Sequence, residues 1–287
     1  MLARLFIAFQ YLVPQHWLTA IVWRLARIRT PRLKNFLIER FVALYDVDVD
    51  EVDGTVPDDF ATFNEFFIRE LKHGARPVAN DAVAVVSPVD GTLSVAAAIR
   101  GDSLIQAKGI DYSLTDLLAT DLDDADAYID GQFASIYLAP YNYHRVHAPF
   151  SAELTAARYI PGDLFSVNQA TVNNVSGLFR RNERLVLQFR TEMGPAAVVF
   201  VGALNVGSIS TPWSGEIRPR KHGVVEALNL AHTSTDVRKG DLLGWFNMGS
   251  TVIVLLPKDS VEWRADLAPG TTLRMGEAIG QCMQQPA

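Results

Sequence analysis

The chain has 287 residues, 49% of them hydrophobic, enough for one large packed domain with an appendage. A single cysteine, Cys282, excludes an intrachain disulfide and suits a reducing, cytoplasm-facing environment. The formal net charge of −6 hides an asymmetry, because residues 1–40 hold Arg4, Arg24, Arg27, Arg29, Arg32, Lys34 and Arg40 against Glu39 alone, whereas residues 41–60 are acidic without a Lys or Arg. A basic, apolar start on an acidic body favours an anionic lipid surface and argues against nucleic acid as partner.

Residues 5–23 carry no formal charge, nearly the length that spans a bilayer, but Gln10, Pro14, Gln15 and His16 interrupt the run at its midpoint. Leu2, Leu5, Phe6, Phe9, Leu12 and Val13 follow helical spacing, and so do Trp17, Leu18, Ile21, Val22, Leu25 and Ile28. The pattern predicts two short amphipathic helices over residues 1–30, joined near Pro14 and lying in the membrane interface with arginines toward the headgroups. No small-x-small cleavage site follows the run, which argues against a signal peptide. Core helices of a soluble protein are the bland alternative.

A helical connecting region of residues 31–81 follows, with one helix over about 31–45 and a capping box, Thr62-Phe63-Asn64-Glu65, opening another through about Leu71. Residues 82–287 read as short strands at 82–87, 92–99, 132–139, 150–160, 185–190, 196–206, 242–246 and 251–256, separated by Gly, Pro and Asn. The class is therefore α+β, with N-terminal amphipathic helices and a mainly antiparallel sandwich or barrel body. Residues 237–244 and 276–280 look like turns of a barrel-sandwich hybrid, as in lipoyl carrier domains. Asp121, Asp123, Asp124, Asp126 and Asp130 read as a solvated loop, and no metal site is expected.

The reactive feature is Met248-Gly249-Ser250-Thr251. Gly249 has no side chain to shield its carbonyl and tolerates unusual backbone angles, and the β-branched run after Ser250 should hold that serine in a buried strand. The Ser250 hydroxyl can attack the Gly249 carbonyl and turn amide into ester. β-Elimination then leaves dehydroalanine, which hydrolyses to a pyruvoyl group on a new chain starting at position 250. Gly-Ser pairs also mark turns, and Gly207-Ser208 is a second one. A serine hydroxyl needs a base, usually a histidine oriented by a carboxylate. Two of the six histidines, His144 and His147, share the segment Tyr143-His144-Arg145-Val146-His147, and three residues apart on extended backbone their rings should point to opposite sides. Pro88-Val89-Asp90-Gly91 offers Asp90 as the carboxylate, although Asp-Gly between apolar runs is also a standard hairpin turn.

These segments, together with Gly162-Asp163-Leu164-Phe165-Ser166-Val167-Asn168, Asn182-Glu183-Arg184, Phe63-Asn64-Glu65-Phe66-Phe67 and Ala75-Arg76-Pro77, resemble the bacterial phosphatidylserine decarboxylases in order and over nearly the whole chain. One departure is Met248 where the family pattern suggests leucine, a near volume-conserving swap. The resemblance implies a pyruvoyl-dependent enzyme that converts phosphatidylserine to phosphatidylethanolamine and CO₂ after self-cleavage at Gly249-Ser250 into chains 1–249 and 250–287. It implies Asp90, His147 and Ser250 as the self-cleavage triad, His144 for decarboxylation, and a pyruvoyl cofactor derived from Ser250. It also settles the cut at Ser250, since Gly207-Ser208 falls in a segment that is structural strand in such proteins. The expected partners are phosphatidylserine, the anionic membrane surface and the two chains of one precursor, with a homodimer left open and no nucleic acid. The expected location is peripheral, on the cytoplasmic face of a bacterial inner membrane.

Two other readings stay open on the residues. Ser250, His147 and Asp90 fit a membrane-anchored serine hydrolase, against which stands the lack of a Gly-x-Ser-x-Gly elbow. The β-rich body also fits a noncatalytic lipoyl-like binding domain, against which stands an Asp-Gly turn without the lysine such a carrier presents. A zinc site at His144 and His147 ranks lower, because spacing offers no third ligand.

Overall fold

The computed structural model describes residues 2–107, 110–119, 125–205, 207–230 and 234–283; Asp121, Asp123 and Asp124 lie outside them. Four helices open the chain: α1 (Leu2–Leu12), α2 (Gln15–Ala26), α3 (Pro31–Tyr45) and α4 (Phe63–Phe67). The strands begin with β1 (Ala84–Val86), β2 (Gly91–Ala98), β3 (Ser103–Ala107), β4 (Ile110–Ser113), β5 (Gln132–Tyr137) and β6 (Arg145–His147). They continue with β7 (Ala152–Ile160), β8 (Arg184–Thr191), β9 (Gly194–Val201), β10 (Ile209–Thr211), β11 (Gly215–Ile217) and β12 (Glu226–Ala227). The last are β13 (Asp236–Val237), β14 (Leu242–Phe246), β15 (Thr251–Leu256), β16 (Val261–Trp263), β17 (Thr272–Leu273) and β18 (Ala278–Cys282). Short helices α5 (Leu114–Leu118), α6 (Gln169–Val172) and α7 (Leu178–Arg181) lie between strands.

The α+β class holds, and every named strand pair is antiparallel. One nine-stranded sheet runs β12-β7-β8-β9-β15-β5-β2-β17 with β13 on β7, beside a four-stranded sheet β11-β10-β14-β6 and a three-stranded sheet β1-β18-β16. β15 lies inside the large sheet, paired to β9 on one side and β5 on the other, and all six of its residues are buried. A strand buried on both faces cannot alternate apolar with polar residues, so Thr251-Val252-Ile253-Val254-Leu255-Leu256 is apolar almost throughout.

Four expectations are corrected. α4 keeps the cap, with Thr62 Oγ1 accepting from the Glu65 N–H at 3.0 Å, but ends at Phe67, and Leu71 pairs with Val52 as an isolated bridge. Asp90-Gly91 is no hairpin: β1 pairs with β18 while β2, beginning at Gly91, pairs with β5 and β17. The strand expected over 196–206 ends at Val201, and Asn205 takes a left-handed φ of 69°. Gly207-Ser208 precedes β10 instead of lying within a strand.

No single helix among the described residues is long and apolar enough to cross a membrane; α1 and α2 form a pair bent by 90°. The polar residues at the break dock them to the β body. Gln10 Oε1 accepts from the Ser166 N–H at 2.7 Å, Gln15 Oε1 from the Leu164 N–H at 2.8 Å, and His16 Nε2 donates to the Gly162 carbonyl at 3.0 Å. At the far end of α2, Trp23 Nε1 and Arg27 both donate to Glu216 of β11. The outer faces keep Leu5, Phe9, Leu12, Trp17, Ile21 and Leu25 exposed. A second apolar cluster joins α3 and α4, with the Phe41 ring meeting Phe63, Phe66 and Phe67 edge-on or tilted.

Leu255 is fully buried in the central strand, so Leu255→Ala leaves a cavity there. The substitution is expected to cost about 3 kcal/mol, read as a lower urea midpoint with unchanged slope; a loss under about 1 kcal/mol would mean that β15 is not packed as described.

Candidate active site

The segment between β14 and β15 is pinned from both sides. The Asn247 side-chain amide donates to Ser208 Oγ at 2.8 Å and Ser210 Oγ at 3.0 Å, and its Oδ1 accepts from Asn64 of α4 at 3.1 Å. The Leu138 N–H donates to the Ser250 carbonyl at 2.8 Å, and the Ser250 hydroxyl donates to the Val201 carbonyl at the end of β9. Ser250 is fully buried. Gly249 has no left-handed φ, so the unusual angle allowed from sequence is not used. Close approach explains the glycine instead, since a methyl group there would sit 3.2 Å from the Leu138 carbonyl oxygen and 3.3 Å from His144 Nε2.

His144 is fully buried, stacks on Phe67 with ring centroids 4.1 Å apart, and has no hydrogen-bond partner at either nitrogen. Burial, with Arg69 nearby and only a weak opposing pull from the Asn142 backbone, pushes its pKa down to about 3, so the ring is neutral at pH 7. His147 lies differently. Its Nδ1 faces the Gly240 carbonyl at 2.8 Å and must donate to it, which leaves Nε2 to accept from the Tyr143 hydroxyl at 3.1 Å. Burial lowers its pKa too. The Tyr143 hydroxyl is pushed up to about 12, chiefly by burial, and stays a donor. The two rings therefore meet different surroundings, one beside Gly249 and one beside Gly240.

Asp90 adjoins His147, whose N–H donates to the Pro88 carbonyl at 2.8 Å, but its carboxylate is engaged elsewhere. Arg76 grips it through Nε at 2.8 Å and Nη2 at 2.6 Å, and the Met275 N–H adds a bond of 2.8 Å. Glu51 pairs with the same guanidinium at 2.8 Å. Among the described residues no hydrogen bond joins Asp90 to His147 or His147 to Ser250. The three share a neighbourhood without forming a relay, because the doubly held Asp90 gains more from a bidentate arginine than from a neutral imidazole.

A cavity of about 310 Å³ opens at Gly249, walled by Phe41 and Tyr45 of α3, Phe63 and Phe67 of α4, Tyr137 and Asn205. Asn205 Oδ1 is buried there without a partner. No metal-holding cluster of His, Cys, Asp and Glu occurs among the described residues.

Sequence reasoning quoted Glu183 and Arg76 inside motifs but gave neither a role. Glu183 is fully buried behind the end of β9: Tyr159 donates to its Oε2 at 2.7 Å, Oε1 has no partner, and a methyl group on Gly202 would lie 2.5 Å from its Cγ. It thus backs the turn that carries Val201, the acceptor for Ser250, into the cavity wall at Ala203–Asn205. A carboxyl at the start of a β-strand with polar neighbours in sequence gives no sign that it will be buried.

Burial pushes the Glu183 pKa up to about 7, against an ordinary 4.5. The folded protein therefore holds a proton between these values that the unfolded chain has lost, and this contribution to stability is full below pH 4.5 and disappears as pH rises through 7. Glu183→Gln keeps an acceptor for Tyr159 and should remove a fall of about 3 kcal/mol between pH 5 and 8, read from urea midpoints of both proteins. Parallel curves for the two would sink the assignment.

A family model described as phosphatidylserine decarboxylase matches residues 63–281, and a second model, described as PSD, matches residues 5–46. The chain is 44% identical over 281 residues to a phosphatidylserine decarboxylase proenzyme of Saccharophagus degradans, covering 98% of each chain. It is 45% identical over 278 residues to that of Alcanivorax borkumensis, covering 96% of each, and 43% identical over 279 residues to that of Methylococcus capsulatus, covering 97% of each.

Proposed function

The chain belongs to the phosphatidylserine decarboxylase family, and we propose that it is a proenzyme that cuts itself at Gly249-Ser250, turns Ser250 into a pyruvoyl group, and decarboxylates phosphatidylserine to phosphatidylethanolamine. Membership leaves no role for the serine-hydrolase or carrier-domain alternatives. The observation that carries the reading is a Gly-Ser peptide with Ser250 buried and doubly pinned, at the mouth of a cavity, with a neutral imidazole lacking side-chain partners against it.

The residues fit that chemistry. Holding Ser250 at Val201 and Leu138 fixes the hydroxyl beside the carbonyl it attacks, which replaces a random encounter by a fixed approach. His147 is proposed as the base that takes the hydroxyl proton, in the tautomer that Gly240 imposes, with Asp90 supporting it electrostatically; Asp90 must trade part of its Arg76 contact for this. Once residue 250 is a pyruvoyl ketone, it supplies the electron sink for the charge left at Cα when CO₂ departs. His144, facing Gly249, is proposed to hold or move the proton that Cα then needs. Asn205 Oδ1 offers an acceptor for the substrate amine, and the aromatic wall from α3 and α4 excludes water from the reacting carboxylate.

One distance favours a second assignment of the base: the imidazole nitrogen against Gly249 is that of His144, not His147. In that reading His144 serves both steps.

The exposed faces of α1 and α2 and the arginines around them support peripheral attachment to an anionic membrane, and the location proposed with it is the cytoplasmic side of a bacterial inner membrane.

The intact mass of denatured protein should give a 249-residue and a 38-residue chain, the latter refusing Edman degradation, while Ser250→Ala stays whole. A single uncut chain with full decarboxylase activity would rule out the pyruvoyl mechanism. Under native conditions the two should co-elute, because β15, β16, β17 and β18 of the small chain pair with β1, β2, β5, β9 or one another.

Histidine variants decide the base. His147→Ala and Asp90→Asn should slow self-cleavage about a hundredfold or more and accumulate precursor. His144→Ala should cleave yet release no CO₂. An uncut His144→Ala beside a normally maturing His147→Ala would transfer the base to His144, as read on gels alongside a CO₂ assay.

A further inference from the structure

The segment between β11 and β12 carries Arg218-Pro219-Arg220-Lys221-His222-Gly223-Val224-Val225, and residues 220–225 are all exposed. Val224 is 78% exposed, comparable to Trp17 on α2 at 73%. Two adjacent β-branched apolar residues, exposed just before β12 and outside the hydrophobic core, have no packing reason to be there.

The loop is tied to the N-terminal helices at two points. Arg218 lies over the Trp23 ring with its guanidinium carbon 3.9 Å from the centroid, while Arg27 approaches the same ring at 4.2 Å. At the other end the Arg220 carbonyl accepts from the Gly162 N–H at 3.0 Å, and Gly162 also holds His16 of α2. Lys221 lines one open depression together with Trp17, Pro14 and Tyr11. Tip and helices thus share a surface.

Charge distinguishes what fits that surface. Glu216 and Glu226 are taken by Arg27 and Arg220 respectively, and Arg218 and Lys221 form no ion pair among the described residues. Exposed apolar side chains on a loop whose Arg218 and Lys221 have no ion-pair partner among the described residues suit an anionic lipid surface, into which valines insert while lysine and arginine stay at the phosphates. A neutral or acidic protein face would match the charges but leave the valines without a reason to be so exposed.

We propose that the Arg218–Val225 loop is a second membrane-docking element, beside α1 and α2, that wedges Val224 and Val225 into an anionic bilayer. This rests on the membrane attachment proposed above.

The test uses the full-length protein with vesicles of phosphatidylcholine alone and of phosphatidylcholine mixed with phosphatidylglycerol. Val224→Ser/Val225→Ser should weaken co-sedimentation with the mixed vesicles about tenfold and Arg218→Ser/Lys221→Ser by a similar factor that vanishes in high salt, with self-cleavage intact in both as evidence of folding. Val224→Cys in a Cys282→Ser background, labelled with an environment-sensitive dye, should shift to the blue on the mixed vesicles. If the unaltered protein binds but both double variants bind equally well and the dye does not shift, the loop has no such role. If the unaltered protein does not bind, membrane attachment itself fails and the loop with it. A variant that changes only the oligomeric state by light scattering would assign the loop to a second copy of the chain and overturn the proposal.

Discussion

The rest of the structure depends on one constraint, the burial of β15 between β5 and β9 with Ser250 immediately before it. A strand with neighbours on both edges and both faces cannot slide by one residue without turning its whole apolar set toward polar surroundings. Ser250 is thereby held in a single register, and its carbonyl and hydroxyl each find one backbone partner, Leu138 and Val201. The Gly249-Ser250 peptide is thus tied to the sheet through both of these partners.

Low polarity is the second theme. Desolvation disfavours the charged forms of the buried groups around the peptide bond: His144 and His147 are driven down, Tyr143 and Glu183 up. Neutral imidazoles can accept protons, and below about pH 7 a protonated Glu183 backs Gly202 without a bare charge there. The formal charges are gathered one layer away, where Arg76 ties Asp90 and Glu51 together. That cluster joins the helical connecting region to the β body and, through Met275, to the C-terminal segment after Ser250.

The same arrangement would make the proposed cut between Gly249 and Ser250, just before β15, survivable. β15 would keep its ladders on both sides, and β17 and β18 would remain paired to β2 and β1, so the apolar burial of the strand would be unchanged. A cut within an edge hairpin would have no such support.

Periodicity carried much of the fold. α3 falls on residues 31–45 as its pattern implies, the bend between α1 and α2 falls at Pro14, and β14 and β15 match the apolar runs 242–246 and 251–256, because helix and strand repeats are local properties of a few successive side chains. The Gly249-Ser250 dipeptide and the two histidines stood out as motifs in order along the chain. What the sequence could not decide was who meets whom across long separations. That Gln10 and Gln15 anchor helices to residues 164–166, that Asp90 turns to Arg76 and Met275 instead of to an imidazole, that Glu183 is buried behind Gly202, and that His144 is the ring beside Gly249 all follow from sheet register and helix docking. Residue types and spacing pointed to the chemistry proposed for this chain; tertiary packing alone decided the partners and polarity of each group, because desolvation and hydrogen bonding depend on neighbours up to 193 positions away.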